Sequence, residues 1–485
     1  MNQIRSTEDQ QNFVKYLVER GVIKIGGPFT LKNKRVSPYF CNIGVMANGE
    51  DLNVLGKAIA STIISNGLGE TFDTIYGIPE KGNHMAVMAI SKLAEMGILK
   101  TFFATRKEAK THGEMSSVQE DWKKKIVGDV PKQSYRIMLL DDVFTDGASK
   151  YETVKKLQTE FSNLSIIISG LIIVLDRQEV AIDGKNAVEE FTKTTGIPVF
   201  SVINSEDVLY CIKNKVIDIN PVDASNFENY LMVYGTKEVK RSLSYPKHKK
   251  YLHRGIIPAL DFSNLEKLEE IAMACEGNPK VTGFKIGSLL VGAHGMKTVV
   301  KHLRFINSNK IIIYDQQKAG TDIPETGEGF MRLCSEADVD AVILFPLSGP
   351  EVLRAWTYYA YNYGLQVIVG GIMTHTAFLK SEGGWIDDDG AYQIYEIAAG
   401  CGIDCFIVPG TKIEAIKKIK KIIDANKLDP NHEIQVLSPG IITQGGPLKE
   451  VEEAAGEYGF QGIIGRAIND AKDPKQAVID LTNSI

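Results

Sequence analysis

The sequence predicts two α/β domains in succession, an open sheet followed by a (β/α)8 barrel. Three observations carry that expectation. The chain has 485 residues, more than one ordinary core encloses, so two domains of roughly 200 to 250 residues each are expected. Short apolar runs alternate with helical periodicity along both halves. The second half holds eight such runs, the number that closes a barrel.

In the first half the strand-like runs are DTIYGI at 73–78, KTFFAT at 100–105, YRIMLLDD at 135–142 and SGLIIVLD at 169–176. This half is too short for a second barrel, which leaves an open α/β sheet with ligands at its strand ends. The stretch TKEVKRSLSYPKHKKYLHR, 236–254, is basic and poor in large aliphatics. It reads as a linker or connecting helix with a solvated charged face, dividing a domain at 1–235 from one at 255–485. Beyond it come IIPAL before Asp261, VTGF before Lys285, IIIY before Asp315, AVILF at 341–345, QVIVG at 366–370, DCFIVPG at 404–410, IQVLSPG at 434–440 and FQGIIG at 460–465. A doubly wound sheet would also alternate, but eight runs in about 230 residues favour the barrel, whose chemistry lies at the C-terminal ends of its strands.

Composition narrows the function. No apolar run reaches the ~20 residues that span a bilayer, and MNQIRSTEDQQ lacks the apolar core of a signal peptide, so a cytoplasmic location and no membrane partner are expected. A formal net charge of -5 argues against bulk nucleic-acid binding while allowing local basic pockets for phosphorylated ligands. The six cysteines, at 41, 211, 275, 334, 401 and 405, are too sparse for a disulfide framework. Cys401 and Cys405 lack a second pair to complete a zinc site, and no protein-held metal centre is expected.

In IMLLDDVFTDGAS, 137–149, an apolar strand runs into Asp141 and Asp142, then a small-residue loop with Thr145, Gly147 and Ser149, then a helix from near Lys150. Such a loop offers backbone N–H groups and hydroxyls to a phosphate, and the acids can hold sugar hydroxyls or a metal-bound diphosphate. The segment ATRKEAKTHGE, 104–114, gathers Arg106, Lys107, Lys110 and His112. With FTLKNKRVSPYFCN (29–42), GIPEKG (77–82) and VLDRQE (174–179), these motifs resemble those of orotate phosphoribosyltransferase, a type I phosphoribosyltransferase. The resemblance implies orotate and 5-phosphoribosyl 1-diphosphate as substrates, Mg2+ carried with the diphosphate, and a closing catalytic loop that reaches the partner subunit of a dimer. By the same resemblance Lys32 and Phe40 lie near orotate and its ribosyl partner. Lys81 and the loop cations, with Lys110 and His112 as catalytic members, contact diphosphate, and Arg177 faces the orotate carboxylate.

In the second half Asp261, Lys285, Asp315, Lys318 and Asp322 stand at or just after the ends of the first three strands. Charges taken out of water cost several kcal/mol each unless paired, so a hydrophobic strand ending in IIIYDQQKAGTD must neutralise them or use them. The set resembles the Lys-Asp-Lys-Asp array of orotidine 5'-phosphate decarboxylase, and its last aspartate opens, as in that family, an Asp-Ile-Pro. Each interval in Asp315-x-x-Lys318-x-x-x-Asp322 is one residue longer than the family's Asp-x-Lys-x-x-Asp. The resemblance implies that Lys285, Asp315, Lys318 and Asp322 are catalytic, Lys318 being the proton donor and Asp322 reaching a partner subunit. It also implies that Asp261 takes ribose hydroxyls, Thr374 contacts the pyrimidine, and Gln444 and Arg466 grip the 5'-phosphate, with no cofactor for this step.

Joined, the two halves would make orotidine 5'-monophosphate and then consume it. Two alternatives stand beside this expectation: a barrel acting on a ribulose- or hexulose-phosphate, and a nucleotide sensor that binds without turnover.

Overall fold

The structure, a computed structural model, describes residues 6–484 apart from 80, 107–125, 130–131, 146, 247, 249–250, 252, 317–321 and 442–447. The chain divides into two compact units, Met1–Leu231 and Met232–Ile485.

Unit one begins with a helix, Glu8–Glu19, capped by Thr7 and Gln10 in a reciprocal capping box, which satisfies two of its otherwise orphaned N–H donors. An antiparallel hairpin follows, β1 (Ile23–Thr30) with β2 (Val36–Cys41). The main sheet comprises β3 (Thr74–Gly77), β4 (Thr101–Thr105), β5 (Ile126–Gly128), β6 (Arg136–Phe144), β7 (Ile167–Asp176) and β8 (Val199–Asn204) in the order β5-β4-β3-β6-β7-β8. All neighbours are parallel except β4 and β5. The apolar runs at 73–78, 100–105, 135–142 and 169–176 are the four central strands. The hairpin, β5 and β8 were not read from the sequence.

Strand order explains where a ligand goes. From β3 the chain moves outward to β4, whereas from β6 it moves the other way to β7 and β8. The loops leaving β3 and β6 diverge, and the crevice between them at the strand ends is a topological switch point.

In unit two, β9 (Arg254–Leu260), β10 (Gly283–Gly287), β11 (Ile311–Asp315), β12 (Ala341–Leu344), β13 (Gln366–Val369), β14 (Cys405–Ile407), β15 (Gln435–Ser438) and β16 (Gly459–Ile464) close into a barrel, β16 pairing with β9. Every pairing is parallel, and all eight expected runs are strands. Side chains alternate across a strand, so Ile257, Ala259, Ile311, Ile313, Ala341, Ile343, Cys405 and Ile407 share the barrel interior.

The described residues of the basic stretch 236–254 pack onto this unit more closely than its composition suggests. Val239 and Lys240 of the helix Lys237–Arg241 are buried, and Lys240 Nζ donates to the carbonyls of Val233 and Gly400 at 3.0 and 2.7 Å. Tyr245 stacks on His432 with ring centres 3.6 Å apart, and Tyr251 joins the barrel core. Apolar and aromatic residues scattered among lysines leave no periodic signal, so their burial became visible only in the fold.

Candidate active sites

In unit one the GIPEKG segment leaves β3 along a very tight path. Ile78 N donates to Leu140 O, and Gly82 N to Ile78 O, each at 2.8 Å. A Cβ on Gly82 would come within 2.5 Å of Leu140 O and 2.7 Å of Gly77 C. Only glycine fits, and the helix Gly82–Glu95 therefore starts against the end of β6. Gly82→Ala is expected to destabilise unit one by about 1–3 kcal/mol through overpacking and to impair the crevice. Thermal unfolding checks this, and wild-type stability would contradict the close approach.

That path brings Lys81 to the acids of β6, where Lys81 Nζ lies 2.6 Å from Asp142 Oδ2. The two acids, adjacent in sequence, differ in role. Asp141 is buried and tied to the buried Lys150 at 2.7 Å, while Lys150 also donates to Val143 O at 2.8 Å. This pair locks the strand to the helix Ala148–Glu160. Asp142 is the member that faces the crevice with Lys81. Alternation across the strand sends the two carboxylates to opposite sides. Both lie within β6, which runs on to Phe144, and the helix starts at Ala148.

Gly147 turns the loop with φ of 76°, a left-handed conformation natural to glycine, and a Cβ there would meet the Phe144 ring at 2.9 Å. Thr145 and Ser149 are exposed on either side of it. Thus Thr145, Gly147 and Ser149 form an open turn at a helix N-terminus, as a phosphate cradle requires.

The β1–β2 hairpin supplies a second wall. Alternation along β2 buries Ser37, Tyr39 and Cys41 and leaves Phe40 38 % exposed, tilted against Phe29 at 5.9 Å. Lys32, in the hairpin turn, is exposed. The Cys41 thiol is pushed up to about 12 by burial, with Arg177 and Lys81 opposing the shift and Asp142 adding to it. It is therefore inert as a nucleophile.

Arg177 is only 3 % exposed. Its Nη2 lies 2.7 Å from Glu179 Oε1, its Nε donates to the same oxygen at 2.8 Å, and Nη2 donates to Ser37 Oγ at 3.0 Å. The guanidinium carbon stands 3.9 Å from the Tyr39 ring centre. Glu179 also accepts from Tyr39 at 3.1 Å and from Tyr230 at 3.0 Å. Arg177 is thus the centre of a buried network fixing the hairpin to the end of β7. The motif VLDRQE does not by itself mark Glu179 as a site residue, nor does the helix start mark Lys150. The signal for Glu179 was an acid two residues from a cation at a strand end.

Arg106 is exposed one residue beyond β4. Lys107, Lys110 and His112 lie outside the described residues.

In unit two a cavity of about 560 Å3 opens at the C-terminal mouth of the barrel, lined by Asp261, Lys285, Asp315, Thr374 and Arg466 among others. Strand period brings the first three together. Asp315 follows Ile311 and Ile313 on the inward face of β11, and Lys285 takes the inward face of β10, where the neighbouring register pairs Lys285 with Ala259. Lys285 is the third of five residues in its strand, so it projects from within the barrel wall rather than from its rim.

Lys285 Nζ lies 2.8 Å from Asp261 Oδ1 and 3.2 Å from Asp315 Oδ2. Lys285 and Asp315 are each 5 % exposed. Burial alone would favour loss of the lysine's proton, but the Asp315 and Asp261 carboxylates outweigh it and raise its pKa above the ordinary 10.5. A buried ammonium held charged between two acids is preorganised electrostatics.

Thr374 is half-buried on the loop after β13, where its carbonyl accepts from Thr411 Oγ1 at 2.6 Å. Arg466 opens the short helix Arg466–Asn469 after β16 and is exposed toward the cavity. Asp322 is exposed, its Oδ1 accepting from Ile323 N at 2.8 Å, and it does not line the cavity among the described residues. Lys318 and Gln444 lie outside the described residues. Lys267, His375 and Asn469 also line the cavity and were missed. They stand on loops and short helices, where no periodic pattern marks an inward residue.

Residues 255–481 match the Orotidine 5'-phosphate decarboxylase / HUMPS family. The first half is similar to the orotate phosphoribosyltransferase of Marinobacter nauticus, 37% identical over 220 residues that make up 45% of this chain and 93% of the relative. It is also similar to that of Neurospora crassa, 34% identical over 239 residues, 46% of this chain and 94% of the relative. Among solved structures, the orotidine 5'-monophosphate decarboxylase of Methanocaldococcus jannaschii is 23% identical, covers 47% of this chain and 97% of its own, and gives a TM-score of 0.41. The chain belongs to the orotate phosphoribosyltransferase family through its first half, and joined to that half is a barrel of the orotidine 5'-phosphate decarboxylase / HUMPS family.

Proposed function

We propose that the chain carries out two consecutive steps of pyrimidine nucleotide biosynthesis. Unit one joins orotate to 5-phosphoribosyl 1-diphosphate, giving orotidine 5'-monophosphate and diphosphate, and unit two decarboxylates that product to uridine 5'-monophosphate. The observation that carries this reading is the buried Lys285 between Asp261 and Asp315 at the mouth of a barrel.

In the transferase, departure of diphosphate leaves positive charge on the ribose and negative charge on the leaving group. Lys81, with Arg106, Lys107, Lys110 and His112, answers the negative charge, and the turn of Thr145, Gly147 and Ser149 cradles the 5'-phosphate. Phe40, Lys32 and Arg177 form the orotate side, Arg177 acting from within its network. Two adjacent acids of which one, Asp142, faces the crevice suit Mg2+ arriving on the diphosphate, a cation commonly bound by one or two carboxylates plus substrate phosphates. When bound, Mg2+ supplies charge neutralisation to the leaving group. Lys110→Ala is expected to lower transferase turnover by about 10- to 100-fold, read as orotate consumption, and an unchanged rate would remove Lys110 from the mechanism.

In the decarboxylase, loss of carbon dioxide leaves a carbanion at C6 of the pyrimidine. Lys285 and Lys318 stabilise the developing charge, and Lys318 delivers the proton. Asp315 aims Lys285 and lies against the substrate carboxylate, Asp261 takes ribose hydroxyls, Thr374 meets the pyrimidine, and Gln444 with Arg466 holds the phosphate. Carbon dioxide release from orotidine 5'-monophosphate, supplied without orotate, diphosphate donor or Mg2+, tests this step. It is expected from the intact chain and lost in Lys318→Ala. No release from the intact chain would return the barrel to another sugar phosphate.

The raised pKa of Lys285 gives the sign of a pH effect. A lysine whose folded pKa is raised contributes stability fully below its unfolded value, and that contribution is lost as pH rises through the folded one. Loss of carbon dioxide release through Lys285 deprotonation is therefore expected only above pH 10.5, and a pH–rate profile of Lys285→Arg against wild type checks it. The reading further includes a homodimer, with Asp322 exposed and available to a partner, and a cytoplasmic location without nucleic-acid or membrane partners. Among the described residues no helix is long and apolar enough to cross a membrane.

A further inference from the structure

We propose that Lys267 is a second phosphate-binding cation of the barrel site, held in reserve by Asp470. The inference rests on the reading that Arg466 meets the substrate's 5'-phosphate.

The side chain of Asn264 accepts from Lys267 N at 2.7 Å and starts the helix Leu265–Ala274 directly after β9. Lys267 therefore stands in the first helical turn, beside the barrel mouth. Its ammonium lies 5.3 Å from the centre of the Phe262 ring, within range of a cation–π attraction, and 3.5 Å from Asp470 Oδ1. Asp470 ends the helix that Arg466 begins, its N–H donating to Arg466 O at 3.0 Å. Lys267, Arg466, Asp470 and Phe262 all line the same cavity.

Two cations and one carboxylate thus line the end of the cavity that the reading above assigns to phosphate. Asp470 by itself would repel a dianion, and Lys267 cancels that repulsion. The Lys267–Asp470 pair is loose, with side chains 34% and 64% exposed, and such exposed pairs contribute little and exchange easily. A phosphate monoester carries close to two charges at neutral pH, so it outcompetes a single carboxylate for the ammonium. Lys267 would then leave Asp470 for the ligand while Phe262 supports its stem.

The test compares carbon dioxide release by the full chain from orotidine 5'-monophosphate and from orotidine, which lacks the phosphate. In Lys267→Gln the KM for the nucleotide is expected to rise about tenfold with kcat nearly unchanged. The kcat/KM for orotidine should stay at the wild-type value, and Lys267→Arg should recover most of the loss. Lys267→Gln/Asp470→Asn, which also removes the repulsion by Asp470, should recover only part of the loss. Full recovery in that double variant would mean that Lys267 only offsets Asp470, and would overturn the proposal. Arg466→Gln separates the underlying reading. If it lowers the preference for nucleotide over orotidine while Lys267→Gln does not, the Lys267 proposal alone fails. If neither variant changes that preference, the assignment of this end of the cavity to phosphate fails as well.

Discussion

Replacing Lys285 by Met is expected to lower kcat/KM for carbon dioxide release by about 10^3-fold or more, while orotate consumption by the transferase continues at its wild-type rate. Lys285 is 5 % exposed and its ammonium lies within 3.2 Å of two carboxylates. Methionine keeps most of the volume but removes the charge, so Asp261 and Asp315 face each other across the vacated position. Part of the substrate's binding and most of the stabilisation of the carbanion would go with it. Breaking one member of a buried pair also costs roughly 3–5 kcal/mol, so circular dichroism and thermal unfolding must accompany the assay. Lys285→Arg, which keeps the charge, separates folding from chemistry. Wild-type release from a folded Lys285→Met protein would remove this lysine from the mechanism.

Glu179→Ala is expected to destabilise unit one strongly. It leaves Arg177, 3 % exposed, with no carboxylate on its Nε and Nη2, and takes from Tyr39 and Tyr230 the acceptor their hydroxyls share. An intact buried ion pair is weak evidence of stability, because desolvation offsets most of its attraction. A half-removed pair is different, and costs about 3–5 kcal/mol. For a unit of this size that lowers the melting temperature by on the order of 10 °C. Glu179→Gln keeps an acceptor oxygen and should cost less. Calorimetric unfolding of the two variants checks the order. Equal stability of Glu179→Ala and wild type would mean that the network of Arg177, Ser37, Tyr39 and Tyr230 holds without its acid.

Much of the fold was legible because its central strands are apolar and its barrel strands are buried on both sides. IIIYD, AVILF and QVIVG read as strands without help from neighbours, and their number implied closure. The hairpin Ile23–Cys41 was not legible, since its alternation is broken by glycines and by a register shift between Ile25 and Phe29. Strand β5, of three residues, is too short for any periodicity. Among site residues, strand-end charges such as Asp142, Asp261, Lys285 and Asp315 stood out against apolar runs. Glu179, Lys150, Lys267 and Asn469 did not, because a charge or amide in a loop or helix turn is ordinary until something places it opposite a partner.

The sequence by itself determined two α/β halves, the strand ends at which each gathers its charged and small residues, and the residue types available there. Local pattern encodes these, since burial and turn formation act over a few residues at a time. Only the tertiary structure decided how those residues divide their work: that Asp141 locks β6 to its helix while Asp142 meets Lys81, that Arg177 is held against Ser37 and Tyr39 of the hairpin, and that Lys285 is shared between two acids. Those outcomes depend on which strand lies beside which and on the face each side chain takes. Contacts between residues 24 to 61 positions apart, as in Lys285–Asp261 and Lys81–Asp142, leave no trace in any local window.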